Sequence, residues 1–304
     1  MRAPTISVIM PVYNSEGYVD QAVESILHQT FGDFEFLITD DGSTDSSLAK
    51  LRSYAERDPR IQLTSRPNTG YVKALIEAVP LARGKYIARM DADDISMPER
   101  FERQIRFLEQ NPDYVAVSSK VLLVDPDAAP LKYAGEKQDH EEIDAAHMRG
   151  EGGAMSHPAV MIRTDAICAI GGYRLRKDED LDLFLRLAEC GRVANLPDVL
   201  LHYRVHLNSQ GHQHYAEMVR SVRDAVAEAR IRRGLLPLAD SDRLALEGHS
   251  LERLKASEHH KKWGWWALQG GHSATARKHA LVAVREDPFS LETWRLAVCA
   301  LRGR

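Results

Sequence analysis

Residues 5–14 read Thr-Ile-Ser-Val-Ile-Met-Pro-Val-Tyr-Asn, and residues 34–45 read Phe-Glu-Phe-Leu-Ile-Thr-Asp-Asp-Gly-Ser-Thr-Asp. Each is a short apolar run that breaks at its carboxyl end into turn-forming or acidic residues. Between them Val19, Ala22, Val23, Ile26 and Leu27 recur at helical spacing. The alternation continues: a helix from about Asp45 carrying Leu48, Leu51 and Tyr54, a strand at Ile61–Thr64, a helix near Tyr71–Ala82, and a strand at Lys85–Met90. Strands separated by helices of this length predict βαβ units, so the expected fold class is α/β, a mainly parallel sheet flanked by helices. In such sheets ligands bind beyond the carboxyl ends of the strands.

Further along, Pro98 opens a helix with Phe101, Ile105 and Leu108, which Asn111-Pro112 stops. Apolar segments follow at Tyr114–Ser118 and Pro158–Ile162, then a helix through Leu181, Leu183, Phe184, Leu187 and Ala188, and a strand is expected at Val199–Val205. From Tyr215 the pattern is helical, broken at Gly234–Pro237, Gly248, Gly270-Gly271 and Asp287-Pro288. The expected division is therefore residues 1–210 as the sheet domain and 211–304 as a helical appendage. Within the appendage, Ala274–Arg285 and Leu291–Leu301 form one tetratricopeptide-like hairpin, too little to bury its own face without packing on the rest.

The 304 residues, 44% hydrophobic and 28% charged, are those of an ordinary globular protein. No apolar stretch approaches the roughly 20 residues needed to cross a bilayer, and Met1–Pro4 has no signal-peptide layout, so the expected location is cytoplasmic or at a membrane surface. Cys168, Cys190 and Cys299 are odd in number and far apart, as expected of reduced thiols. Residues 1–215 carry 24 Lys and Arg against 33 Asp and Glu, which argues against a nucleic-acid partner; residues 216–304 carry 16 against 11 and could favour an anionic surface. Arg220, Arg223, Arg230, Arg232 and Arg233 supply much of that surplus, and Trp263, Trp265 and Trp266 could add an interfacial aromatic group or, as core residues, a packing surface.

At the strand ends the first run gives Pro11-Val12-Tyr13-Asn14, the second Asp40-Asp41, and the fourth Asp91-Ala92-Asp93-Asp94. Five carboxylates at one edge of one sheet repel unless a cation or donors offset them. Oxygen ligands without His or Cys suit Mg2+ or Mn2+ rather than zinc.

These segments, with Asn68-Thr69-Gly70, Ser156-His157-Pro158, Gly171-Gly172-Tyr173, Glu179-Asp180 followed by Leu183 and Arg186, and Tyr203-Arg204-Val205-His206, stand in the order seen in family 2 glycosyltransferases. Across residues 4 to about 210 the chain resembles an inverting enzyme of that family with the GT-A fold. The resemblance implies a nucleotide-diphosphate-sugar donor, UDP-sugar first, and a glycan or lipid-linked acceptor in bacterial surface-glycan assembly, with peripheral contact at the inner membrane face. It places the nucleotide against Pro11, Tyr13, Asn14, Glu16, Asn68, Asp91, Ala92 and Asp93, with Asp41 accepting from a uracil-like ring N–H. Asp93 and Asp94 would hold the metal, Mn2+ or Mg2+. Asp180 would be the catalytic base and Glu179 its positioning neighbour. His157 would face the acceptor, and Arg204 and His206 the diphosphate. Where many members carry an Arg-Asn pair, this chain has Leu75-Ile76, leaving Lys73 as a substitute contact.

Two other readings use similar parts. A sugar nucleotidylyltransferase would show a Gly-rich basic loop after the first strand, where this chain has Tyr13-Asn14-Ser15-Glu16; a noncatalytic binding scaffold would be expected to lack Asp93 or Asp180. A nicotinamide enzyme lacks its Gly-x-Gly-x-x-Gly loop here.

Overall fold

The computed structural model describes residues 3–207, 215–236 and 256–303. The breaks expected at Pro237 and Gly248, and the 210/211 boundary, lie outside these residues. The first half alternates as its apolar pattern requires: β1 (Ile6–Val12), α1 (Val19–Leu27), β2 (Phe34–Asp40), α2 (Ser47–Arg57), β3 (Ile61–Ser65), α3 (Tyr71–Ala78) and β4 (Tyr86–Arg89). All seven residues of β1 are buried, because helices cover both faces of the sheet.

The sheet runs β3-β2-β1-β4 in parallel and then changes character. A three-residue strand, β8 (Met161–Arg163), inserts antiparallel between β4 and β6 (Tyr114–Val124). Beyond β6 lies β9 (Arg192–Arg204), parallel to it, and the two-residue β5 (Ile95–Ser96) pairs antiparallel with β9 at the far edge. β7 (Pro130–Ala134) forms a hairpin with β6. The α/β class and the flanking helices are as the sequence predicts, and the antiparallel half is what it does not show. The chain steps outward from β1 to β2 and β3 and then crosses back to place β4 on the other side of β1, so the carboxyl ends of β1 and β4 form the topological switch point where such sheets bind ligands.

The remaining helices are α4 (Arg100–Gln110), α5 (His140–Met148), α6 (Thr164–Ala169), α7 (Glu179–Leu187), α8 (Tyr215–Arg232), α9 (Ala256–Gln269), α10 (Ser273–Glu286) and α11 (Leu291–Arg302). Ala225, Val226 and Ala229 of α8 are buried against Leu181 and Leu185 of α7. Helices α9, α10 and α11 instead bury Trp263, Ala267, Ala276, Ala280, Leu296 and Ala300 together with Leu131 of β7. The hairpin expected at the carboxyl end thus gains a third helix and a strand to pack on.

Several surface expectations change. Arg232 pairs with Glu189 and Arg233 with Asp144, both at 2.7 Å, so these arginines tie α8 to its neighbours. Trp263 is buried, and Trp265 and Trp266 are half-buried. The three cysteines are unpaired.

Candidate active site

The loop after β1 is stitched to the loop after β2. Asn14 Oδ1 accepts the Thr44 N–H at 2.8 Å, the Asn14 N–H donates to Ser43 Oγ, and the Glu16 carboxylate accepts from Ser46 N–H and hydroxyl at 3.1 and 2.8 Å. The two Ser46 donors hold the Glu16 carboxyl below its ordinary value. Asn14 and Glu16, expected to meet the nucleotide, therefore act first as loop fasteners. Pro11 is buried in the strand, while Tyr13 stands 45% exposed at its end, free to lie against a base.

Asp41 is buried, and its two oxygens accept the Thr69 and Gly70 N–H groups at 3.0 and 2.8 Å, with Arg66 2.8 Å from Oδ1. It anchors the Asn68-Thr69-Gly70 loop, so a base contact would use a lone pair that these donors leave. Gly42 between the loops has φ +75°, and a Cβ there would lie 2.6 Å from the Asn68 nitrogen. Asn68 and Lys73 are exposed beside this loop, whereas Leu75 is fully buried. That side of α3 is closed to the nucleotide.

After β4 the chain turns through Asp91-Ala92-Asp93-Asp94. Each of the three aspartates offers an oxygen within 4.8 Å of the others. Ala92 is buried, its small side chain filling the space beneath the turn. Asp91 is paired with buried Arg89 at 2.6 Å. Asp94 is 1% exposed; its Oδ1 accepts the Arg204 N–H at 2.8 Å and its Oδ2 is buried with no hydrogen-bond partner. Burial, with Asp93 and Asp91 adding repulsion, pushes the Asp94 carboxyl well above its usual range. A site with surplus negative charge and an orphaned buried oxygen fits a hard divalent cation.

Arg204 does not face a diphosphate as the resemblance implies. It is buried: Nε donates to Asp93 O, one terminal nitrogen to Asp125 O and Pro126 O, and the other to Gln21 Oε1, with Tyr18 stacked against it. Its guanidinium is engaged as a strut under the acidic turn. β5 explains the meeting, since pairing Ile95 with His202 sets Asp94 beside the end of β9. His206 Nε2 lies 2.8 Å from Asp93 Oδ2, its ring stacked on Tyr18. Asp125, at the end of β6, is fully buried, 3.0 Å from His279 Nε2 and paired with Lys278 of α10. The carboxyl-terminal helices thereby brace the loop that holds Arg204.

Glu179 and Asp180 begin α7. Asp178 is held by Arg176 and by the Ser221 hydroxyl of α8, and Asp182 by Arg186, so both flanking acids are structural. Glu179 is buried and accepts from the Tyr71 hydroxyl at 2.8 Å, with His157 Nδ1 3.8 Å away. Burial and the adjacent Asp180 push its carboxyl up to about 8, so it is protonated near neutrality. His157 is buried and shares a 2.8 Å hydrogen bond with the Tyr173 hydroxyl; burial, with Arg89 nearby, holds its ring well below its ordinary pKa and therefore neutral. Asp180 is half-buried, one oxygen accepting the Leu181 N–H at 2.8 Å, and burial raises it above its ordinary value despite that bond. Dehydration thus outweighs the helix terminus, making Asp180 a stronger base than a solvated aspartate. Tyr71, Arg66 and Asp125 escaped the sequence reading of the site, and Tyr173 and Arg89 carried no role there, since nothing local marks their distant partners.

The chain matches the family described as Glycosyl transferase family 2 over residues 7–170. It belongs to that family. The O-antigen biosynthesis glycosyltransferase WbnJ of Escherichia coli is 35% identical over 212 residues, 67% of this chain and 81% of the relative. The amylovoran biosynthesis glycosyltransferase AmsE of Erwinia amylovora is 32% identical over 203 residues, covering 65% and 75%. Among solved structures, residues 1–349 of S. aureus TarS in complex with UDP-GlcNAc superpose with a TM-score of 0.63 at 17% identity, covering 99% of this chain and 92% of that one. Mannosyltransferase PcManGT from Pyrobaculum calidifontis in complex with GDP-Man and Mn2+ gives 0.57 at 19%, covering 99% and 81%. This family 2 chain therefore has the GT-A glycosyltransferase fold.

Proposed function

We propose that this glycosyltransferase moves a sugar from a UDP-sugar to an acceptor hydroxyl of a surface glycan or its lipid-linked precursor, with inversion at the anomeric carbon. The observation that carries this reading is the pairing of two unlike acids at one helix start. Asp180, whose carboxyl burial raises above its ordinary value, keeps a second oxygen that takes no hydrogen bond from any described residue; Glu179 beside it holds a proton. A single in-line displacement needs one such base for the acceptor proton. Glu179 and neutral His157 would orient the acceptor by donating and sharing hydrogen bonds without competing for its proton. Tyr13 would lie against the uracil, and Asn68 and Lys73 would border the donor. Asp93 and Asp94, with Asp91 adjacent, would hold Mn2+ or Mg2+; when bound, the ion neutralises diphosphate charge and assists its departure. Arg204 keeps the acidic turn rigid, and His206 fixes the Asp93 carboxylate.

The named roles of WbnJ and AmsE in O-antigen and amylovoran biosynthesis support a surface-glycan product. Among the described residues no helix is long and apolar enough to cross a membrane. A lipid-linked acceptor would be met at the bilayer surface, by an enzyme resting on it. Titration calorimetry with UDP, GDP, CDP and dTDP tests the donor: UDP should bind most tightly, with Mn2+ strengthening it. Equal UDP affinity in EDTA and in Mn2+ would remove the metal assignment.

A further inference from the structure

The outer face of α11 is apolar and, among the described residues, uncovered. Leu291, Trp294, Val298 and Leu301 are 88%, 51%, 44% and 75% exposed, and Phe289 in the turn before them is 96% exposed. On the same helix Thr293, Leu296 and Ala300 are buried against α9 and α10. At 100° per residue the first set forms one continuous stripe directly opposite the second. α11 packs in one cluster with α9, α10 and Leu131 of β7 through its other side. A contiguous exposed stripe of large apolar side chains is the kind of patch that marks an interaction surface.

Charge decides between two occupants. Arg295 and Arg302 both fall along one border of the stripe at that same spacing, and both are exposed. A second copy docked stripe to stripe with its helix antiparallel would bring these arginines of both chains onto one side, with like charges facing; docked parallel, it would set them against the partner's Trp294 and Leu301 border, which offers no carboxylate. A negatively charged lipid surface pairs with them instead, and takes the tryptophan and phenylalanine at its interfacial depth.

We propose that the α11 face, led by Phe289, Leu291 and Trp294 and bordered by Arg295 and Arg302, is the surface by which this enzyme lies on an anionic membrane. The proposal rests on the peripheral reading above and names its surface, which is distinct from the buried Trp263 and the ion-paired Arg232 and Arg233. Membrane contact here leaves the switch-point loops of β1 and β4 free, since α11 touches the sheet domain through α9, α10 and β7.

Flotation of the full chain with phosphatidylglycerol and with phosphatidylcholine vesicles tests it, with Mn2+-dependent UDP binding measured in parallel. The wild type should float with phosphatidylglycerol only, less so in 1 M salt. Leu291→Glu/Val298→Glu and Arg295→Glu/Arg302→Glu should each lose most of the flotation while keeping the melting temperature and UDP affinity. Flotation that persists in both variants overturns this surface while sparing peripheral attachment. A wild type that binds UDP but no vesicle overturns the proposal without touching glycosyl transfer. Self-association in light scattering that the Leu291→Glu/Val298→Glu variant abolishes, with no vesicle binding, assigns the face to a second copy and likewise overturns it.

Discussion

The Tyr71 hydroxyl donates to Glu179 Oε2 at 2.8 Å across 108 residues of chain, fastening the first helix beyond the Asn68-Thr69-Gly70 loop to the helix that carries both proposed catalytic acids. The bond favours ionised Glu179, yet burial and Asp180 win, leaving it protonated up to about pH 8. Burial, with Glu179 adding, also raises Tyr71 above its ordinary value, so it stays a donor.

Glu179→Gln should stabilise the protein in a pH-dependent way. Between the ordinary 4.5 and about 8 the folded state retains a proton that the unfolded chain releases, so wild-type stability falls with pH through that window. Glutamine escapes the penalty. The Tm difference between variant and wild type should be small at pH 4.5, grow to about pH 8 and then level off; transfer should fall less than about 10-fold, because a neutral donor remains.

Asp180→Asn should leave UDP binding near wild type while transfer falls roughly 10²- to 10⁴-fold, the cost of losing a general base. Asp93→Asn should weaken metal and UDP binding as well as turnover. Calorimetry beside initial rates separates the two, and the product of an α-linked donor should be β-linked by NMR.

Arg204→Lys keeps a charge but loses the fork that reaches Asp93 O, Asp125 O, Pro126 O and Gln21 together. Because the group supports metal-binding carboxylates from behind, Mn2+ affinity should drop about 10- to 100-fold. Manganese titration read by electron spin resonance checks this, with a normal far-ultraviolet spectrum as the folding control.

Gly42→Ala introduces a Cβ 2.6 Å from the Asn68 nitrogen at φ +75°. The strain should cost about 1–3 kcal/mol, seen in urea unfolding, and the displaced Asn68 loop should raise the KM for donor.

The parallel half of the sheet and its acidic strand ends are legible because each strand is a local apolar run and each end a local change in chemistry. β8 is not, since three residues carry no period and its place between β4 and β6 depends on pairing across more than forty residues on either side. Asp93 and Asp180 stand out as types in a motif. Whether Arg204 meets phosphate or backbone carbonyls depends on where β5 delivers the acidic turn, and two residues of sequence do not announce a strand. The protonation of Glu179 is equally hidden, being set first by burial beneath Tyr71, which the sequence does not announce, with adjacent Asp180 only adding to it.

The seam between α7 and α8 bears on how relatives of this enzyme can be recombined. Arg176 bonds Glu228 at 2.8 Å, Ser221 bonds Asp178, and Ala225, Val226 and Ala229 fill the back of the helix that carries Asp180 in its first turn. A chimaera that joins the motif-bearing portion of one enzyme to everything after residue 210 of another would graft a foreign α8 onto the rear of the catalytic helix. Crossovers placed after residue 236 would keep that pair native and exchange α9–α11 as a cassette. The inherited unit of chemistry in this chain is thus longer than its motifs, while the α11 face proposed to meet the membrane can be exchanged without disturbing it.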